Sequence, residues 1–170
     1  EETQGKRIAK LAREMGVQHY VYSSVGSAHR KTGIPHFENK WRVEELVREL
    51  KFPSYAILRP VFFMENLPTP WFLHGDQIVS GLKPATSLQM VAVEDIGRVG
   101  ARLFTDAGTM NGREIDLAGD SATMPRAAEV LSRALGRTIV YVEIPMAEVR
   151  KNGEDFALML EWFERGGYDA

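Results

Sequence analysis

Apolar residues recur at helical spacing from the start of the chain: Ile8, Leu11, Ala12 and Met15 fall at i, i+3, i+4 and i+7. This predicts an amphipathic helix with those four residues on one face, stopped by Gly16 at the C′ position. The pattern then changes to His19-Tyr20-Val21-Tyr22-Ser23-Ser24-Val25, uncharged and rich in aromatic and β-branched residues. A strand over 19–23 is predicted, buried on both faces and therefore parallel to its neighbours. Ser23 and Ser24 lie at its carboxyl end, before a polar loop from Gly26 to Gly33. Pro35 suits the first turn of a helix over 35–50. On that helix Val43, Leu46, Val47 and Leu50 fall within an arc of about 100°. His36 lies inside the arc, Lys40 just past its edge beside Val47, and Phe37, Glu44 and Arg48 on the opposite side.

Ser54 to Arg59 predicts a second parallel strand ended by Pro60, completing a βαβ unit. Val61 to Leu67 leaves that strand's carboxyl end as a short segment. Between 71 and 91, Ile78-Val79 and Leu88 to Val91 read as short strands of a small excursion from the main sheet. A helix from Val93 to about 105 directs Ile96, Val99, Gly100, Leu103 and Phe104 at the core, with Glu94 and Asp95 suiting its positive end. Asn111-Gly112 marks a turn before a strand at 113–117. Thr123 caps a helix that has Pro125 near its start and runs to Leu135, where Gly136 stops it. A strand at 138–143, a short helix opened by Pro145 and a helix over 154–165 complete the reading. The last helix shows Phe156, Met159, Leu160 and Phe163 on one face. Strands alternating with helices define an α/β chain.

Composition narrows the function. The 170 residues suit one domain with a real core, and the net charge of −2 offers no basic footprint for direct nucleic-acid binding. No apolar run approaches the roughly 20 residues of a membrane span. Cysteine is absent, which removes disulfide and thiolate chemistry and is compatible with a cytoplasmic location. His19, His29, His36 and His74 lack metal-ligand spacing, so no metal site is expected. No Gly-x-Gly-x-x-Gly or phosphate loop occurs in the chain. The remaining candidate chemistry is a cluster predicted at strand carboxyl ends: Ser23, Ser24, Lys40, and the stretch Phe63-Met64-Glu65-Asn66. Ligands of open α/β sheets bind in that position. A lysine there can donate to a ribose hydroxyl or a carbonyl. It can equally lay its stem along apolar surface with its charge in water.

Several motifs in order resemble the NmrA-like family of atypical short-chain dehydrogenases. They are Gly5-Lys6-Arg7 through Gly16-Val17, the strand from His19 to Val25, His36-Phe37-x-x-Lys40-x-x-Val43-Glu44, Leu58-Arg59-Pro60, and Phe63-Met64-Glu65-Asn66-Leu67. Val91 to Gly97 and Trp162-Phe163-x-x-Gly166-Gly167-Tyr168 continue the resemblance over nearly the whole chain. It implies a partial Rossmann-like parallel sheet with helices, plus a small α/β C-terminal region. Residues 1–67 are expected to be the C-terminal half of an NAD(P)-binding domain, and 68–170 a smaller substrate or partner region with some strands returning to the main sheet. NADP is favoured over NAD. Lys40 would lie near the cofactor ribose and nicotinamide, Phe63, Met64, Glu65 and Asn66 would line the same end, and Ser23 and Ser24 would stand where ordinary members keep a catalytic serine.

Two departures from the family pattern accompany the resemblance. Ordinary short-chain dehydrogenases carry Tyr-x-x-x-Lys, whereas this chain has His36 four residues before Lys40. His36 reads as a packed histidine; its alternative role is to poise Lys40 or shuttle a proton. The chain also opens in the helix before the family's fifth strand, so it is expected to be a fragment without the glycine-rich loop and to bind cofactor weakly or not at all by itself. Two functions stay open, beside a structural fragment with no activity of its own. One is an NAD(P)H-dependent reductase acting on a quinone or similar small acceptor, with Phe62, Phe63, Trp71 and Phe72 either lining a pocket for a flat substrate or packing the core. The other is a non-catalytic NADP(H)-sensing regulator that binds a protein partner.

Overall fold

Strand β2, Ser54–Pro60, is the centre of the first compact unit, and its side chains alternate between two buried faces. The computed structural model describes residues 1–170, which form two compact units. The first comprises Glu1–Val61, Glu94–Leu117 and Asp169–Ala170. In it β2 lies between β1, His19–Ser23, and β7, Arg113–Leu117, all parallel. Helices α1, Glu2–Glu14, and α2, Pro35–Glu49, enclose a core of Ala9, Val43, Val47 and Phe52, joined by Tyr20, Tyr22 and Tyr55 from the strands. On the other side Ala56, Leu58 and Leu103 meet Val21, Ile96, Val99, Ile115 and Leu117, with Leu103 carried by α3, Val93–Thr105. His19 ties these layers: Nδ1 is 2.7 Å from Ser54 Oγ and Nε2 is 2.8 Å from the carbonyl of Leu103.

Four expectations about faces need correction. Ile8, Leu11 and Met15 are exposed, because α1 packs on α2 through Gly5 and Ala9. The α1 interface is made of small residues that allow close approach. Phe37 and Glu44 do not point away from the core. Both are fully buried, since α2 faces α1 along one stripe and the charged residues of the sheet along another. Phe104 is exposed, its ring T-shaped to that of His19 at 6.0 Å between centroids. Strand β1 is half-buried rather than sealed, having β2 as its one neighbour in the sheet.

The second unit comprises Phe62–Val93 and Ala118–Tyr168. One sheet has β3, Phe62–Phe63, parallel to β6, Ser87–Val91, with β8, Asp120–Thr123, antiparallel on the other edge of β6. A second has β4, Leu73–His74, antiparallel to β5, Gln77–Ser80, which is parallel to β9, Val140–Glu143. Helix α4, Ala107–Met110, is a single turn in the first unit; α5, Met124–Leu135, packs on β8 and β9 in the second. Helices α6, Met146–Arg150, and α7, Glu154–Glu164, pack together. The α5 ends follow the sequence reading: Thr123 Oγ1 accepts the Arg126 N–H at 3.3 Å, and Gly136 adopts φ 65°. Of the four candidate pocket aromatics, Phe62 and Phe72 pack in the core, 5.4 Å apart between centroids, and Phe63 and Trp71 are exposed. No helix is long and apolar enough to cross a membrane.

Candidate functional site

The carboxyl end of β1 carries three of the candidate residues. After Ser23 the chain continues along β2, with Ser24 N–H donating to Leu58 O at 2.7 Å and Gly26 N–H to Pro60 O at 2.8 Å. This holds Ser24 in the interior, yet its Oγ is a buried oxygen with no hydrogen-bond partner. A buried hydroxyl without a partner is costly, of the order of 1–3 kcal/mol, so a ligand donor or acceptor arriving there would restore a lost bond.

Helix α2 delivers Lys40 to the same place. Its Nζ donates to the carbonyl of Ser23 at 3.1 Å, forms an ion pair with Glu1 at 2.6 Å, and lies 5.4 Å from the centroid of the Tyr22 ring. The side chain is 24% exposed, as its position at the margin of the apolar arc predicts. The ammonium therefore sits at the strand's end, on a side chain that is mostly covered. Tyr22 is the tyrosine beside Lys40. Burial, followed by the carboxylates of Glu1 and Glu44, pushes its phenol well above the ordinary value, so it holds its proton more tightly. His36, one turn before Lys40, is half-buried and sets its ring edge-on to Phe37, with centroids 4.8 Å apart.

Beneath these residues lies a buried ionic network that the helical pattern alone did not reveal. Arg59 donates through Nε to Glu44 Oε1 at 3.0 Å and through Nη2 to Glu44 Oε2 at 2.7 Å. It also reaches Glu114 at 2.5 Å and Asp116 at 3.3 Å. Arg48 bonds Glu44 and Glu114, each at 2.7 Å. The second oxygen of Asp116 accepts the N–H of Ser27 at 2.9 Å, where Ser27 takes the left-handed φ of 61°. One cluster thus joins α2, β2, β7 and the loop after β1. The readable signal was Arg59 in an otherwise apolar strand, with Glu114 and Asp116 alternating in β7: a buried guanidinium requires carboxylates.

The stretch Phe63 to Asn66 belongs to the second unit. Phe63 ends β3, and Met64–Asn66 form a 3-10 turn. Glu65 Oε1 accepts the N–H of Val93, the first residue of α3, at 2.9 Å. Glu65 therefore serves a helix N-terminus, which a negative group favours. The Asn66 carbonyl accepts from Thr69 N–H and Oγ1. Ser23, Ser24, His36 and Lys40 lie in the first unit, and Phe63, Met64, Glu65 and Asn66 in the second.

A parallel sheet covered by helices on both faces, with polar residues at its carboxyl end, defines a Rossmann-like α/β protein. The sequence profile of the NmrA-like family matches residues 1–170, and the chain belongs to that family. The nitrogen metabolite repression protein nmr of Neurospora crassa is 31% identical, over 96% of this chain and 37% of its own length. Festuclavine dehydrogenase easG of Aspergillus fumigatus is 27% identical, over 94% of this chain and 57% of its own. Among solved structures, NmrA, a negative transcriptional regulator crystallised in complex with NAD, superposes with a TM-score of 0.75 at 26% identity. That match covers 97% of this chain and 57% of the NmrA chain. The chain thus spans between about a third and three-fifths of the length of these relatives.

Proposed function

We propose that this chain supplies the nicotinamide side of an NAD(P)-binding site, NADP being favoured, in an NAD(P)H-dependent reductase of a quinone or similar small acceptor. The observation that carries the reading is that Lys40 Nζ is held at the end of β1 by the Ser23 carbonyl, while the next residue, Ser24, has a buried Oγ without a partner. Both fit a ligand rich in hydroxyl and amide groups. The reduced nicotinamide supplies a hydride when bound. Lys40 would hold and orient a ribose hydroxyl, Ser24 would bond a polar group brought against it, and Ser23 would keep the lysine aimed. The family tyrosine is absent, and His36, one turn before Lys40, is the residue placed to pass the reduced quinone its proton. Phe63, Met64, Glu65 and Asn66 carry the cofactor-lining role that the family resemblance implies.

The test is NADPH oxidation by the natural full-length protein with a panel of quinones. Turnover that falls at least tenfold in Lys40→Ala supports the enzyme. A second reading, an NADP(H)-sensing regulator with a protein partner, is favoured by His36 standing where ordinary members have their tyrosine, and by similarity to a nitrogen repression protein. Submicromolar NADPH binding without turnover of any acceptor would select it. The 170 residues hold no glycine-rich loop, and that loop with its helix end normally grips the pyrophosphate. Isothermal titration of this chain by itself is therefore expected to show weak or no NADPH binding; a micromolar or tighter constant would contradict that.

A further inference from the structure

We infer, on the reading of Ser24 as a cofactor contact, that Asp116 is a positioning residue: it clamps the segment after β1 and so fixes where the Ser24 hydroxyl meets the ligand. Beyond Ser23 that segment stays in the interior, with Ser24, Gly26, Ser27 and Ala28 all buried. The N–H groups of Ser24 and Gly26 bond to β2 and hold the backbone as far as Gly26. There the chain turns away. Ser27 takes φ 61°, a left-handed conformation that a β-carbon disfavours. A residue other than glycine persists in such a conformation only where its surroundings over-determine it. Ser27 N–H donates to Asp116 Oδ1 at 2.9 Å. Ser27 is 2% exposed, so bulk water does not replace that acceptor when it is lost.

Asp116 is itself held. Its Oδ2 accepts from Arg59 Nη1 at 3.3 Å, and Arg59 donates two further hydrogen bonds to Glu44. Glu44 lies one turn after Lys40 on α2. Arg59 therefore joins the helix that carries Lys40 to the carboxylate that holds the loop after Ser24. Through it, the lysine and the buried hydroxyl keep a fixed separation. Groups ordered in advance strengthen binding, because the ligand does not have to order them on arrival. Glu114 supplies the contrast. It stands two residues before Asp116 on β7, and its hydrogen bonds go to Arg59 and Arg48, not to the segment after β1. Both carboxylates stabilise the network, whereas the bond to Ser27 belongs to Asp116.

The test reads NADPH affinity by nicotinamide fluorescence, and amide hydrogen exchange at Ser27, in the natural full-length protein. Asp116→Ala is expected to speed exchange at Ser27 and to weaken NADPH binding about threefold to tenfold, the scale of one net hydrogen bond. Asp116→Asn keeps an oxygen for the Ser27 N–H and should bring both readings back to within about twofold of the parent. Glu114→Gln loosens the network without touching Ser27 and should leave both readings at parent values. In a Ser24→Ala background the further loss from Asp116→Ala should vanish, because Asp116 acts through Ser24; a general loss of stability would instead add to it. Additive losses, equal weakening by Glu114→Gln, or unchanged Ser27 exchange in Asp116→Ala would overturn the proposal. A parent protein that binds no NADPH would overturn the cofactor reading instead, and Ser27 exchange would still decide the clamp.

Discussion

Glu44 and Arg59 carry the heaviest burden of any single residues. Glu44 is 0% exposed and the Arg59 side chain 5%, and each holds the other through two hydrogen bonds. Removing Glu44 takes two charge-assisted hydrogen bonds from Arg59 but leaves it Glu114 and Asp116, so the cost lies below the ~3–5 kcal/mol of a wholly unpaired buried charge. Glu44→Ala is therefore expected to lower the urea unfolding free energy by about 2–3 kcal/mol, and an unchanged midpoint would contradict the assignment. Glu114 links this network to pH. Its carboxyl is held below its ordinary value, first by the Arg48 hydrogen bond, against burial, with Arg59 adding to the effect. A lowered carboxylate stabilises the fold fully above the ordinary value of 4.5, and the stabilisation is lost as pH falls through the lowered value. Stability of Glu114→Gln should therefore fall less steeply below pH 4.5 than that of the parent, as read by denaturation at a series of pH values. At this scale the sequence was partly legible. Lys40 reached the strand's end as its helical position foretold. Glu44 was read as an outward residue, because an amphipathic arc assigns charge to solvent and has no place for a carboxylate whose partner lies on a strand 15 residues later.

At the scale of elements, capping and periodicity located the helices better than they assigned the helices' faces. Helix α5 begins and ends where Thr123, Pro125 and Gly136 say it should. Thr123→Ala should cost about 1 kcal/mol in thermal or chemical unfolding through the lost bond to the Arg126 amide. Helix α1 shows the opposite case. Its contact with α2 is made by residues that carry little hydrophobic signal, so its larger apolar residues drew the prediction to the wrong face. A Cβ built at Gly5 would lie 2.9 Å from one methyl of Val43 and 3.3 Å from the other. Valine in a helix has little rotamer freedom to yield. Gly5→Ala, which would otherwise gain about 1 kcal/mol of helix propensity, is expected to destabilise by about 1 kcal/mol net. The double variant with Val43→Ala should show a favourable coupling in a double-mutant cycle. Simple additivity would mean that the contact at Gly5 is not what limits the approach of the helices.

At the scale of the molecule, the chain returns to the sheet it began. Strand β7 pairs with β2 after an excursion of more than 50 residues, and it brings Glu114 and Asp116 to Arg59. Local patterns identify such a strand but not its neighbour, because pairing partners are chosen by contacts distant in sequence. Family motifs supplied what periodicity could not. They implied a cofactor role for Lys40 and Ser24, and the structure adds the Ser23 carbonyl that holds the lysine and the buried hydroxyl without a partner. The central claim is that Lys40 holds the nicotinamide end of the cofactor. Titration of NADPH into the natural full-length protein, followed by nicotinamide fluorescence, tests it most directly. Lys40→Ala is expected to weaken binding at least tenfold with the unfolding midpoint preserved. Equal affinity in the parent and in Lys40→Ala would contradict it.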